Sequence, residues 1–233
     1  MRHLLHIIMI GILLAGCQQE PYESGDTSLS YLNAEMVNVR VENAYVKSIT
    51  NDEGISLPLP ASLKQDSQSL PSDTTMRMMM YYVLDGAKEM KIVKSYIVGV
   101  ISPVGLWSED SYKTDPVTLT SAWMSPNGSF LNLSLGVKTG VADDSSARQT
   151  INVALDSVVV DEQGQRTRYM TLVHDQSIVP EFFTTNVYIS IPTDDSPSGE
   201  ALVIDINTYG GKVRKHFRKQ PFRKKKSSSL ARV

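Results

Sequence analysis

Alternating apolar and polar residues begin at Met36 and predict a β-strand at the start of the folded region. Val37, Val39 and Val41 alternate with polar neighbours, a period of two that is typical of a half-buried strand. Apolar residues recur at the same period from position 76 to 84, with Arg77 on the opposite face. A short strand over residues 55–59 and a long strand over 88–102, interrupted at its glycine, complete this half. The pattern predicts a small OB-like barrel over residues 34–103.

The second half of the chain also consists of predicted strands separated by turns. Residues 104–115 interrupt the alternation between two prolines and predict an inter-domain segment. Beyond it, alternating apolar residues predict strands that begin near positions 117, 131, 151, 167, 187 and 202. No segment has helical periodicity. We therefore expect an all-β fold, in which an Ig-like antiparallel β-sandwich over residues 116–211 follows the barrel.

The first 16 residues predict a bacterial signal peptide. Arg2 precedes an apolar core that is shorter than the roughly 20 residues of a membrane-spanning helix. Leu14, Ala15 and Gly16, followed by Cys17, form the pattern that lipoprotein signal peptidase recognises. Cys17, the only cysteine, would then carry acyl chains such as palmitate and hold the protein at a lipid bilayer. The alternative is a buried cysteine in an ordinary signal segment.

These features predict a lipid-anchored protein of the cell envelope, at the outer membrane, on either the periplasmic face or the cell surface. Residues 17–33 are polar, without periodicity, and predict a lipidated cysteine followed by a flexible tether. With Cys17 used for lipid, no disulfide can form, so stability must come from packing.

Charge is distributed unevenly along the chain. Residues 17–211 contain 12 basic and 25 acidic side chains, a net charge of −13, whereas residues 212–233 contain 10 basic and no acidic side chains. An acidic body is a poor match for nucleic acid, which we therefore exclude as a partner. Residues 212–233 are interpreted as a basic C-terminal tail, which is either solvated, in contact with anionic lipid head groups, or docked on the acidic body.

Three short motifs together resemble the NigD-like lipoproteins. Residues 77–85 are similar to the family's segment of arginine, apolar run and Tyr-x-Val-Leu, and residues 130–133 to its aromatic-Leu-Asn-apolar strand. Residues 207–211 are similar to its closing Asn-Thr-x-x-Gly turn. The resemblance implies an N-terminal OB-fold domain, a C-terminal β-sandwich and, by association with a bacteriocin operon, a role in immunity. The family usually ends in a further strand, and the basic residues from Lys212 onward put that strand in question.

Enzymatic chemistry finds little support in the sequence. After removal of the signal peptide only His174 and His216 remain, which is too few for a usual zinc site, and no nucleophile or phosphate-binding motif occurs. His174 beside Asp175 favours a hydrogen-bonded turn histidine over an acid–base pair. The adjacent aspartates at 143–144 and 194–195 favour solvated turns over a hydrolase or a calcium site. We expect no enzyme, no metal and no cofactor.

Exposed aromatic residues are the other candidates for a binding site. Trp107, Tyr81 and Tyr112 are candidate ligand-facing aromatics that could stack on a sugar. Trp123, spaced with Leu119, favours a core position. The main hypothesis is a binding protein for an envelope protein or a bacteriocin-type toxin, with a groove at the domain junction near residues 102–115. A glycan-binding accessory lipoprotein is the alternative, and a hydrolase acting through loop carboxylates is the weakest hypothesis.

Overall fold

A computed structural model describes residues 32–60, 63, 71, 73–84, 89–105, 112–142, 144 and 146–220 of the chain. These residues form 14 strands in three sheets, which confirms the all-β prediction. No helix among them is long and apolar enough to cross a membrane. The expected signal peptide, the lipidation site at Cys17 and the candidate Trp107 lie outside the described residues.

The first sheet is antiparallel and has the strand order β3-β2-β1-β4-β5. Its strands are β1 (Asn33–Glu42), β2 (Tyr45–Asn51), β3 (Ser56–Leu57), β4 (Thr74–Leu84) and β5 (Met90–Ile97). One face forms a core of valines and methionines, including the predicted stripe at positions 76, 78 and 80. In the described residues the edge strands β3 and β5 do not pair with each other. The expected barrel is therefore an open sheet, because β3 is short and Pro58 and Pro60 provide no N–H groups to extend it.

Two further sheets pack face to face as a sandwich. The second sheet has the order β6-β12-β9-β8, with β6 (Gly99–Val100), β8 (Thr118–Met124), β9 (Phe130–Thr139) and β12 (Phe183–Pro192). The third has the order β14-β13-β11-β10-β7, with β7 (Val104–Gly105), β10 (Thr150–Val160), β11 (Arg166–Asp175), β13 (Ala201–Thr208) and β14 (Gly211–Arg218). Their inner faces share the largest core, which contains Leu131, Leu133, Leu135, Ile189, Ile191, Leu202, Ile204 and Ile206.

The sandwich mixes parallel and antiparallel pairs, where the sequence predicted antiparallel strands alone. β6 is parallel to β12, β7 is parallel to β10, and β11 is parallel to β13. The chain from Gly99 to Gly105 passes from the edge of the second sheet to the edge of the third. It therefore forms β6 beside β12 and then β7 beside β10. The predicted break at Gly99 is present, since Val98 separates β5 from β6.

The basic residues from Lys212 onward begin a strand, whereas the sequence suggested a tail. β14 pairs with β13 in register from Thr208↔Gly211 to Ala201↔Arg218. Phe217 packs against the sandwich core, and Arg214 is neutralised by Asp205 on the neighbouring strand. Alternation of apolar and charged residues therefore forms a strand despite the charge density, and the third sheet has a final strand. Residues 221–233 lie outside the described part.

The first sheet stacks on the outer face of the second sheet. Met36, Met79 and Val98 form a small buried cluster between the two sheets, with Trp123 and three tyrosines packed around it. Because side chains alternate across a strand, β9 directs its leucines into the sandwich and directs Asn132 and Ser134 towards the first sheet. The interface between these two sheets contains the candidate site.

Candidate functional site

Arg77 occupies the centre of this interface and is almost fully buried. Its side chain is 1% exposed and makes two parallel hydrogen bonds of 2.8 Å to the carboxylate of Asp52. Its Nε donates to Ser190 Oγ at 2.8 Å, and Nη2 donates to Asn132 Oδ1 at 3.2 Å. The guanidinium carbon lies 3.8 Å from the centre of the Phe130 ring. Bidentate pairing and stacking are the contacts that best compensate a buried guanidinium.

The network joins two of the motifs on which the sequence resemblance rests. Arg77 opens the first motif, and Phe130 and Asn132 belong to the second. Sequence analysis placed Arg77 on the face away from the apolar stripe, but it did not identify Asp52 or Ser190 as partners. The available signal was an arginine inside an apolar run, where an unpaired charge would be costly. The motifs therefore have a shared structural role, which is to hold the first sheet on the second.

A cleft of about 290 Å³ opens beside this network, and we call it the junction cleft. Its lining combines apolar and acidic side chains from both sheets: Ala34, Glu35, Met36, Asn51, Asp52, Glu53, Met79, Trp123, Met124 and Pro126. Met36 and Met79 are buried, and they form its apolar base with the partly buried Trp123. The sequence predicted a junction groove near residues 102–115, and the structure places the cleft elsewhere. Val104 and Gly105 pair with β10, and Thr114 pairs with His174, so the described ends of that segment lie against the third sheet.

The acidic side of the junction cleft is held in place by Asn51. Its amide nitrogen donates to Glu35 Oε2 at 3.0 Å, and its amide oxygen accepts from the backbone N–H groups of Glu53 and Ile55. The carboxylate of Asp52 is paired with Arg77 and that of Glu35 accepts from Asn51, so both acidic groups are held in fixed positions at the cleft, which Glu53 also lines. Burial, followed by the neighbouring Glu35, raises the pKa of Tyr82 to about 12.

Chemically, the junction cleft suits a positively charged group on an apolar stem. Carboxylates attract the charge, and an indole face adds cation–π attraction. Methionine side chains adapt their shape to an aliphatic or aromatic body. A lysine or arginine side chain of a partner protein has this chemistry.

The candidate aromatics do not form one surface. Tyr81 is half-buried between the first two sheets, where its hydroxyl lies 3.0 Å from that of Tyr188 and its ring lies edge-on to Tyr96. The bond to Tyr188, with partial burial, raises the pKa of Tyr81 to about 12. Tyr112 lines a different cavity of about 390 Å³ over the third sheet, with Thr114, Thr171, Asp205, Asn207 and Lys212. Trp123 is partly buried against the interface cluster.

The candidate catalytic residues make structural contacts. His174 is 1% exposed at the end of β11, where its ring nitrogens contact Asp115 O at 3.1 Å and Gln149 Oε1 at 3.3 Å. Asp175 pairs with Lys113, and Asp195 pairs with Arg168. The hydroxyl and the backbone N–H of Ser146 donate to Asp144 Oδ1, and these bonds lower the pKa of the Asp144 carboxyl group. Asp143 lies outside the described residues. No described group of three or more histidine, cysteine or acidic side chains is placed to hold a metal ion.

The architecture defines a class of all-β proteins in which an open five-stranded sheet stacks on a two-sheet sandwich. Solved structures share this fold. A NigD-like immunity protein from Bacteroides caccae matches with a TM-score of 0.58 and 18% identity, over 80% of this chain and 96% of that one. A protein described as toxin-related, from Parabacteroides distasonis, matches with a TM-score of 0.60 and 16% identity, over 82% and 94%.

A third structure, described as a lipoprotein from Bacteroides fragilis, matches with a TM-score of 0.51 and 13% identity, over 82% of this chain and 98% of that one. No protein-family profile matches the chain, and no curated protein matches it. At these identities the likeness shows a common fold. The resemblance to NigD-like proteins that the motifs indicated is thus confirmed at the level of the fold.

Proposed function

We propose that this protein is a non-enzymatic, lipid-anchored protein of the cell envelope that binds a protein partner at the junction cleft. The observation that carries the proposal is the cleft itself, where Glu35 and Glu53 border an apolar base of methionines and Trp123. The partner would be an envelope protein or a bacteriocin-type toxin that presents a basic side chain on an apolar surface.

The charge of the folded region supports a basic partner. With β14 included, residues 17–220 contain 17 basic and 25 acidic side chains, a net charge of −8, which would raise the local concentration of a cationic protein and speed its association at low salt. The immunity role assigned to the solved NigD-like protein is consistent with toxin binding, but the fold alone does not transfer it.

Lipid attachment is proposed from the sequence around Cys17. Leu14, Ala15 and Gly16 precede the only cysteine at the depth of a signal-peptidase site. One acyl chain anchors a protein weakly, whereas two or more hold it effectively permanently. Binding at the membrane would place the junction cleft where an incoming toxin or an envelope protein is encountered.

The anchor is tested by Cys17→Ala. We expect this variant to incorporate no radiolabelled palmitate and to leave the membrane fraction, because the thiol that receives the lipid is absent. Gln18→Ala is the matched control and should remain labelled and membrane-bound. If Cys17→Ala stays with the membrane after a carbonate wash, the lipid anchor is wrong.

The junction cleft is tested by photo-crosslinking in intact cells. A benzoylphenylalanine placed at Glu53, on the acidic rim, should crosslink to one protein species, because a bound partner would lie within reach. The same group at Val159, which is 49% exposed on the third sheet, is the control and should not. The Glu53 product should weaken when Glu35→Gln is added. Equal crosslinking from both positions would contradict the proposed site.

A second candidate function is glycan binding at the cavity beside Tyr112. One aromatic ring among Thr114, Thr171, Asp205, Asn207 and Lys212 is the composition that sugars favour, with a stacking face and a ring of hydrogen-bonding groups. A glycan array with the wild-type protein and Tyr112→Ala separates the two functions. Signals that vanish in Tyr112→Ala would favour the glycan, whereas an empty array with a Glu53 crosslink would favour the protein partner.

A further inference from the structure

One edge of the second sheet is left uncovered for six residues. β12 pairs with β9 from Phe183↔Thr139 to Pro192↔Phe130. On its other side β6 pairs only with Ile189 and Ser190. Residues 183–188 therefore have no neighbouring strand on that side within the described part of the chain, and we call them the open edge.

The hydrogen-bond direction along β12 follows from one contact. The N–H of Ile101 donates to Ser190 O at 3.0 Å, so the backbone groups of Ser190 point away from β9. Since alternate residues of an antiparallel strand point the same way, Thr184, Asn186 and Tyr188 also direct their N–H and C=O groups outward. Tyr188 adjoins Ile189, which pairs with Gly99 of β6, whereas Thr184 and Asn186 are exposed and lie beyond the reach of β6. The open edge thus offers two donors and two acceptors in extended geometry.

A groove runs beside the open edge. It has a volume of about 430 Å³, and its lining includes Ile97, Ile101, Gln149 and Ile151 together with Asn186 and Val187 of β12. The volume falls in the range of about 300–1,000 Å³ that is usual for ligand pockets. No charged residue is among those that line it, and Ile97 is 73% exposed. The groove therefore suits apolar side chains.

The edge strands β3, β5, β8 and β14 carry features that discourage pairing with a second chain. β3 is two residues long and is followed by prolines, and β8 contains a bulge between Leu119 and Ser121. β5 carries Lys91 and Lys94, and β14 carries a row of basic residues. The open edge, Phe-Thr-Thr-Asn-Val-Tyr, has no lysine, proline or bulge. Natural proteins protect edges by these devices, so an edge without them is a candidate binding site.

We propose that the open edge binds an extended segment of a partner protein, added as a strand beside β12 and in line with β6. Main-chain hydrogen bonds to Thr184 and Asn186 hold the segment, and its alternate apolar side chains fill the groove. The chain's own β6 already pairs with the next two residues of the same edge, which demonstrates that the edge accepts a strand. A second copy of the protein is a poorer occupant, because two grooves facing each other would leave both unfilled.

The test begins with a phage library of random octapeptides, panned on the full-length protein. We expect enriched sequences to alternate apolar and small polar residues. The best peptide, made synthetically, should slow amide hydrogen exchange at Thr184 and Asn186. Its affinity, measured by calorimetry, should fall at least tenfold in Asn186→Pro. Proline removes the outward N–H and leaves the ladder to β9 intact, as is usual for edge-strand prolines. Asn186→Ala keeps that N–H but shortens a side chain that lines the groove, so it should lose less affinity than Asn186→Pro.

A second pair of variants does not depend on tolerance of proline. Ile97→Glu places a charge in the groove at an exposed position and should also reduce affinity at least tenfold. Ile178→Glu, at a position that is 65% exposed and does not line the groove, should not. The proposal is overturned if no peptide is enriched or if Ile97→Glu binds the enriched peptide normally. Protection of amides elsewhere, or a dimer that Asn186→Pro dissociates, also overturns it.

Discussion

Arg77 shows how one residue can decide whether two sheets stay together. A buried guanidinium loses its hydration, and only a complete set of partners restores that loss. Asp52 supplies the charge, Asn38, Ser190 and Asn132 supply acceptors, and Phe130 covers one face of the group. Asn38 and Asp52 lie with Arg77 in the first sheet and its turn, whereas Ser190, Asn132 and Phe130 lie on the second sheet. The residue thus links the sheets through contacts that neither sheet can provide alone.

Removal of Arg77 should leave Asp52 buried without a partner. We expect Arg77→Met to lower the free energy of unfolding by about 3–5 kcal/mol, the usual result of breaking a buried ion pair from one side. The double variant Arg77→Met/Asp52→Leu should recover a large part of that loss, because no charge then remains buried. The free energies of unfolding of the two variants, of Asp52→Leu and of the wild-type protein, measured by urea denaturation, form a double-mutant cycle. A single-variant loss below about 1 kcal/mol would contradict this account.

At the scale of elements, β14 explains how a basic segment becomes a strand. Arg214 pairs with Asp205 through two bonds of 2.7 and 2.8 Å, and Lys212 approaches the same carboxylate at 3.3 Å. Phe217 packs on the core from the other face of the strand. The edge is therefore stabilised on one side by apolar burial and on the other by charge pairing.

The Asp205 pairing should make β14 sensitive to acid. The hydrogen bond from Arg214 lowers the pKa of the Asp205 carboxyl group, so its contribution to stability is present above the unfolded pKa of about 3.9 and is lost as pH falls further. Thermal stability should be followed from pH 7 to pH 2.5 in the wild-type protein and in Asp205→Asn. The variant should lose less stability at low pH, because it has no carboxylate at position 205 to protonate. Because Arg214 is 56% exposed, the effect at pH 7 should be no more than about 1 kcal/mol. Lys215→Gln on the same strand is the control and should retain the acid loss.

At the scale of the molecule, the three sheets are linked at several points. The Arg77 network joins the first sheet to the second, and the chain from Gly99 to Gly105 joins the edges of the second and third. The described residues from Asn33 to Gln220 accordingly form one compact unit.

Such links should make unfolding cooperative. We expect calorimetry of the full-length protein to give one transition, with a ratio of calorimetric to van't Hoff enthalpy near about 1. Arg77→Met should broaden or split this transition, because the first sheet could then separate from the sandwich. Lys91→Met, an exposed change on the edge strand β5, should leave one transition. Two resolved transitions in the wild-type protein would contradict the linkage.

Local sequence patterns predicted the strands well, because the alternation of apolar and polar residues depends only on neighbouring positions. The methionine stripe of β4, the break at Gly99 and the leucines of β9 all lie where the sequence indicated. Burial of Arg77 was not predictable, since Asn132 and Ser190 lie 55 and 113 positions away. β14 was misread because its charge density obscured Val213 and Phe217. The junction cleft requires the stacking of two sheets, which no local pattern encodes.

The long sequence separation between Arg77 and Ser190 also affects when the protein can fold during its synthesis. As the chain is made, β4 is complete more than a hundred residues before the serine that its arginine contacts. Until then the second sheet lacks β12, and the cluster around Met36 and Met79 lacks Tyr188. Chains rich in such distant contacts fold slowly, in milliseconds to seconds, and expose apolar surface meanwhile. We therefore expect the nascent protein to need a holding chaperone until β12 has been synthesised.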